Sequence, residues 1–246
     1  MAESRPQPLR LKELSPPAIA DALARDPRLL LPVGTCESHG PHLPIGCDTI
    51  IIDRLVDDLS AELQILRAPT LEYGVNVPHE RPAPGGAGLR RKSLLRTLND
   101  LIDAWEAGGV KEFVLVTANG HDAHVEALST VITTAARVQV IDVLGIVMPE
   151  ATDSPYGALH GDEIDTSLML FLHPDLVDMG RAEDFPLPSR RGLRRLGRAN
   201  LRVMRASAGS MGNPSAASAA KGEAMYKRIK RLIRDKVLLA PQDDED

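Results

Sequence analysis

Hydrophobic positions recur along this chain in two periods, and their alternation predicts a mainly parallel sheet covered on both faces by helices. Arg28–Gly34 (RLLLPVG) is a short apolar run that stops at glycine, as a buried strand would. Asp48 is placed to cap a helix over Thr49–Leu63, in which Ile51, Ile52, Leu55, Val56 and Leu59 fall at helical spacing. Gln64–Leu71 reads as a second strand, and Glu72–Arg91, rich in glycine and proline, as a loop. Leu94, Leu95, Leu98, Leu101, Ile102 and Trp105 share one face of a helix that stops at Gly108-Gly109. A strand at Glu112–Ala118, a helix from Asp122 to Arg137 and a strand at Val138–Val147 follow. His160–Leu172 is helical, closed by His173-Pro174 because proline cannot continue the hydrogen-bond ladder. A strand at Asn200–Ala206 and a last helix over Ala216–Leu238 complete the series.

The fold class is therefore α/β. With 246 residues, 43% of them hydrophobic, and no break in composition, one domain is expected over residues 11–240. Residues 1–10 and 241–246 read as disordered tails. No apolar run is long enough for a signal peptide or a membrane span. Two cysteines make no disulfide framework, so a reducing cytoplasmic setting fits. The net charge of −5 and only seven aromatic residues (three Phe, three Tyr, one Trp) run against nucleic-acid binding. Two local basic stretches, Arg190–Arg198 and Lys227–Arg234, read as solvated surface.

Three polar clusters change the picture, and the first two each follow directly after a predicted strand. In such sheets ligands gather beyond the carboxyl ends of the strands. Glu37, His39, His42 and Asp48 lie in a loop stiffened by Gly40, Pro41, Pro44 and Gly46. Asn119-Gly120-His121 is a tight turn after the next apolar strand, and His160-Gly-Asp-Glu-Ile-Asp-Thr-Ser167 opens a helix. Acidic groups crowded around imidazoles need cations to offset their repulsion. Carboxylate and imidazole ligands suit zinc, manganese or iron, and a divalent ion makes bound water a nucleophile near neutral pH. His42 fits either of two roles, support for a ligand or a structural turn residue. Cys36 and Cys47 read as small, partly buried residues. A competing scheme makes Cys36 a nucleophile with His39 or His160 as its base.

The run Pro32-Val-Gly-Thr-Cys-Glu-Ser-His-Gly-Pro-His-Leu-Pro-Ile-Gly-Cys-Asp48 closely resembles the creatininase family of metal-dependent amidohydrolases, as do Asn119-Gly-His121, His160–Ser167 and the late Met211-Gly-Asn-Pro stretch. The resemblance implies a three-layer α/β/α sandwich assembled as a homo-oligomer, commonly a hexamer. It implies Glu37, His39, Asp48 and His121 as metal ligands, with Asp48 bridging two divalent ions, zinc first and manganese or iron as alternatives. It implies that His160 moves the proton to the leaving nitrogen, and that Glu163 serves as an acid completing the second ion's shell. Where creatininase itself has a glutamate ligand after this turn, the chain has Ala123. The second ion is then expected to rely on Glu163 or Asp122. Asp162 and Asp165 also depart from the family run, and the lone Trp105 sits on a helix face rather than over a substrate, which makes creatinine a poor candidate. The expected activity is hydrolysis of a non-peptide or cyclic amide C–N bond in a small molecule. The alternatives are a peptidase of the mycofactocin-maturation type and a catalytically impaired metal-binding scaffold. His79 and Tyr156 are placed by position to line the pocket.

Overall fold

The computed structural model describes residues 6–77, 83–146, 159–185 and 207–240. The expected strand at Asn200–Ala206, the basic stretch Arg190–Arg198, His79 and Tyr156 lie outside the described residues. Five strands form one all-parallel sheet: β1 (Leu9–Arg10), β2 (Arg28–Pro32), β3 (Leu66–Arg67), β4 (Glu112–Thr117) and β5 (Arg137–Asp142). Their order across the sheet is β1-β3-β2-β4-β5. The described helices are α1 (Pro16–Arg25), α2 (Cys47–Leu63), α3 (Arg91–Ala107), α4 (Asp122–Ser129), α5 (Glu163–Leu172) and α6 (Ala219–Ile233).

The pleat explains the layers. Side chains alternate across a strand, so in β2 and β4 Leu29, Leu31, Phe113 and Leu115 face one side while Leu30, Val114 and Val116 face the other. The first set packs with residues of α1, α3 and α4, the second with residues of α2, α5 and α6. The result is an α/β/α sandwich whose central strands are apolar on both faces. Leu29, Leu30 and Leu31 are completely buried, and truncating any of them to alanine is expected to cost about 3 kcal/mol.

Several boundaries differ from the sequence reading, each for a local reason. Leu9–Arg10 is not tail but an edge strand paired with Leu66–Arg67, held by the Leu9 amide on Ser60 Oγ and by Arg10 on Asp57. Helix α1, which the pattern did not reveal, starts at Pro16-Pro17 after Ser15 and buries only Ala22 completely enough to count as core. Helix α2 begins one residue before Asp48, so Asp48 is in the first turn and not the cap. Helix α4 ends at Ser129. The β-branched run Thr130–Thr134 suits a helix poorly, and Glu106 accepts the backbone amides of Thr134, Ala135 and Ala136 instead. The basic stretch on α6 is a solvated face, with Lys227 on Glu223 and both Lys230 and Arg234 on Glu62. No helix among the described residues is long and apolar enough to cross a membrane.

Candidate metal centre

Because the described strands pair in parallel, the carboxyl ends of β2, β4 and β5 share one rim. The segment after β2 supplies Thr35, Glu37, His39 and then Asp48 at the start of α2. The turn after β4 supplies Asn119 and His121, and the first turn of α5 supplies Asp165. Gly161, at φ +63°, takes the left-handed conformation and lets the entry to α5 lie directly on the backbone of His39, where a side chain would collide with the His39 carbonyl. His39, Asp48, His121, His160 and Asp165 line one cavity of about 560 Å³. That is the size of a small-molecule site.

The hydrogen bonds fix how the donor atoms point. His39 Nδ1 donates to the Glu37 carbonyl at 3.1 Å, so its Nε2 is left to face Asp48 Oδ1 at 2.9 Å. Among the described residues no other group meets that Asp48 oxygen. The other oxygen, Oδ2, accepts from Thr35 Oγ1 at 2.6 Å and from Asn119 Nδ2 at 2.9 Å. Asn119 Nδ2 also donates to Glu37 Oε1 at 2.5 Å, and the Val77 amide donates to Glu37 Oε2 at 2.6 Å. One amide group thus spaces the two carboxylates, while its own oxygen receives the His121 amide at 3.0 Å. His160 stacks on His39 with ring centroids 4.1 Å apart. Its Nε2 donates to the Ser38 carbonyl at 2.7 Å, leaving Nδ1 4.0 Å from Glu37 Oε1.

Burial of this many acids has an electrostatic consequence. Glu37 and Asp165 are each pushed up to about 7, chiefly by desolvation, against the opposing pull of His39 and with Asp48 adding repulsion. Despite the same desolvation, the charge and hydrogen bonds around Asp48, those of His39 first, bring it down to about 2. His39 loses to desolvation but gains more from Asp48, and rises to about 10. The protein therefore holds a proton or another positive charge between His39 and Asp48.

The donor set fits a divalent ion. His121 Nδ1 and Asp165 Oδ1 are buried, belong to residues of one cavity and have no hydrogen-bond partner, and Asp48 Oδ1 meets only His39 Nε2. Such groups are costly unless something else satisfies them. Two ligands of one tetrahedral zinc-like ion, each about 2.1 Å from it, stand about 3.4 Å apart, so His39 Nε2 and Asp48 Oδ1, at 2.9 Å, would part by about half an ångström to admit an ion. Ligand atoms of Glu37, His39 and His160 lie within 4.8 Å of one another, as do those of His39, Cys47 and Asp48. Burial pushes the Cys47 thiol well up, so it stays protonated and is a poor ligand.

Of the residues singled out from sequence, Glu37, His39, Asp48, His121 and His160 are brought together. Glu163 is not. Its completely buried carboxylate takes the Lys221 ammonium at 2.5 Å and is absent from the cavity wall, because the first turn of α5 points residues 163 and 165 in different directions. Asp165 lines the cavity wall instead, and Asp122 is exposed. Ala123 packs into the core beside α3 and α4 rather than facing the cavity. His42 donates or accepts through Nε2 with Thr166 Oγ1 at 2.9 Å, tying the ligand loop to α5. His124, which follows the family turn, accepts the Val75 amide at Nδ1 and therefore donates from Nε2 to Thr117, buttressing the Asn119 turn from beneath. Cys36 directs its thiol at the Gly85 carbonyl and does not line the cavity.

Comparison with known proteins agrees with this geometry. The model of the creatininase family, creatinine amidohydrolase, matches residues 12–237. A creatinine amidohydrolase of Pseudomonas putida is 29% identical over 68% of this chain and 72% of its own. A mycofactocin precursor peptide peptidase of Mycobacterium tuberculosis is 27% identical over 89% of this chain and 88% of its own. A solved variant of creatininase, described as of Zn-Zn type, superposes with a TM-score of 0.77 at 25% identity, covering 94% of this chain and 97% of that one. Sequence motif, fold and rim geometry lead to the same assignment: the chain belongs to the creatininase family.

Proposed function

We infer that this protein is a metal-dependent hydrolase acting on the C–N bond of a cyclic or other non-peptide amide. The observation that carries the reading is the pair of buried, partnerless donor atoms on His121 and Asp165, beside the close contact of His39 with Asp48, around a cavity of small-molecule size. Glu37, His39, Asp48, His121 and Asp165 would hold the ions, two per chain with Asp48 between them, and zinc suits the donors best, ahead of manganese or iron. A divalent ion bound there acidifies water and polarises the carbonyl.

The chain's own residues do the rest. Asn119 keeps Glu37 and Asp48 apart and oriented through its two N–H bonds. The Thr35 hydroxyl fixes the remaining lone pairs of Asp48 Oδ2. His160, anchored by Ser38, has its Nδ1 beside Glu37 and would pass a proton to the departing nitrogen. Glu163 has no part in the chemistry and holds α6 to α5 through Lys221. Family likeness and the cysteine content support a cytoplasmic homo-oligomer, which sedimentation analysis tests.

A second reading is hydrolysis of an amide within a short peptide, favoured by the greater length over which the peptidase matches this chain. The test is turnover of a panel of lactams, formamides and short peptides by protein stripped with chelator and reconstituted with zinc or manganese. Metal-restored turnover of lactams or formamides is expected. Turnover that chelator leaves untouched, and that Cys36→Ala abolishes, would replace the metal scheme with a thiol one. Peptide turnover alone would favour the second reading.

A further inference from the structure

One charged group on the cavity wall is not used by the metal centre. Asp142 is the last residue of β5 and pairs in register with Thr117, the last residue of β4. It therefore stands beside the Asn119 turn, on the strand next to the one that delivers that turn. Its side chain lines the same cavity as His39, Asp48, His121 and Asp165. The Leu144 amide donates to Oδ1 at 3.1 Å, and the Gly145 amide also bonds to the carboxylate, so the group is held in one orientation. Oδ2 lies against Gly120, where an added Cβ would come within 2.9 Å of it. The glycine of the Asn-Gly-His turn thus leaves room for this carboxylate at the wall.

Its charge has no internal counterpart among the described residues. Among the described residues Asp142 has no ion-pair partner, and neither lysine nor arginine lines the cavity. Two divalent ions would bring four positive charges against the three carboxylates of Glu37, Asp48 and Asp165, and the water that they ionise would supply the fourth negative charge, leaving Asp142 as a further negative group on the wall. Burial, opposed by its two backbone bonds and reinforced by Asp48, raises its pKa, so an incoming cation would be bound with gain.

Resting on the hydrolase reading above, we propose that Asp142 is the specificity-determining residue of the site, and that the substrate is an amide bearing a protonated amine or guanidinium group, which Asp142 binds while the scissile carbonyl lies at the metal centre. A neutral substrate would leave the carboxylate desolvated without compensation, and an anionic one would be repelled. The proposal predicts cation selection in binding, independent of turnover.

The test uses hydroxamates, which bind metal through one end, with straight chains of two to five carbons ending either in an ammonium or in a methyl group. Their dissociation constants are measured by calorimetry on the zinc-loaded full-length protein, on Asp142→Asn and on Asp142→Ser. At the chain length that spans the cavity, the ammonium compound is expected to bind wild type at least about tenfold more tightly than its methyl counterpart. That preference is expected to vanish in both variants while the methyl series binds all three proteins alike. Absence of a preference at every length, or its survival in either variant that binds the methyl series normally, overturns the assignment of Asp142. Failure of both series to bind wild-type protein that has taken up zinc overturns the hydrolase reading, which needs an ion open to the substrate carbonyl, and the proposal with it.

Discussion

Glu163 and Asp165 are carboxylates two residues apart in the first turn of one helix, both almost completely buried, and they have opposite roles. Glu163 is matched by the Lys221 ammonium, which also donates to the Ala216 carbonyl. The charge is neutralised within the protein and the pair ties α5 to α6. Asp165 accepts one bond, from the Gly161 amide at 2.8 Å, leaves Oδ1 without a partner, and looks toward His39 and Asp48. A buried acid with its own lysine is structure. A buried acid that the protein leaves unsatisfied, in a cavity with others like it, is a place for a cation.

The contrast can be broken at several points, beginning with the centre that Asp165 faces. Asp48→Asn, which removes the group between His39 and Asn119, should lower turnover by about three orders of magnitude or more and release metal, as should Glu37→Gln. Steady-state rates and elemental analysis read both effects. Asp165→Asn should lower turnover about a hundredfold and reduce metal occupancy. Glu163→Gln should keep the metal and most of the rate, losing about 2 kcal/mol in denaturant unfolding, less than a fully buried pair would because Lys221 is partly exposed. Equal metal loss in the two α5 variants would erase the distinction.

His160→Ala should keep the metal while kcat falls about a hundredfold, the scale of one proton-transfer group. Smaller in free energy, but specific in sign, is the effect of pH on the metal-free protein. Glu37 and Asp165 keep their protons up to about pH 7 when folded but ionise near pH 4 when unfolded. Folding therefore loses stability as pH rises through that interval. The stabilisation that His39 gains from being held at about 10 is complete below its unfolded value and is lost above it, in the same direction. The metal-free protein should melt lower at pH 8 than at pH 5.5, and zinc should raise the melting temperature more at pH 8, because binding displaces those protons. Least of all, Cys36→Ala should change turnover by no more than about twofold, since its thiol faces Gly85 outside the cavity.

The sequence was most legible where one periodicity ruled. The apolar stripe of α3, the buried runs of β2 and β4 and the stop at Gly108 all stand as read. Legibility failed where tertiary partners decide. Leu9–Arg10 becomes a strand only because Leu66–Arg67 lies beside it, and Gln64–Leu71 shrinks to two paired residues. In the site, residue type and motif singled out Glu37, His39, Asp48, His121 and His160, which the fold brings to one rim. They could not distinguish Glu163 from Asp165, because the direction of two acids at the start of a helix depends on where Lys221, 58 residues on, is packed. Spacing alone, i and i+2 in a helix, does point them apart, and that signal was available. Asp142 carried no signal at all. Its importance comes from the register of β5 against β4 and from the space left by Gly120.

The central claim is that the rim of the sheet binds divalent metal through Asp48 and its neighbours, and elemental analysis of purified wild-type and Asp48→Asn protein tests it most directly. The account predicts at least one tightly held divalent ion per wild-type chain, with most of that metal gone from a variant that is still folded. Wild-type protein that takes up no metal on reconstitution, or an Asp48→Asn variant holding as much as wild type, would contradict it.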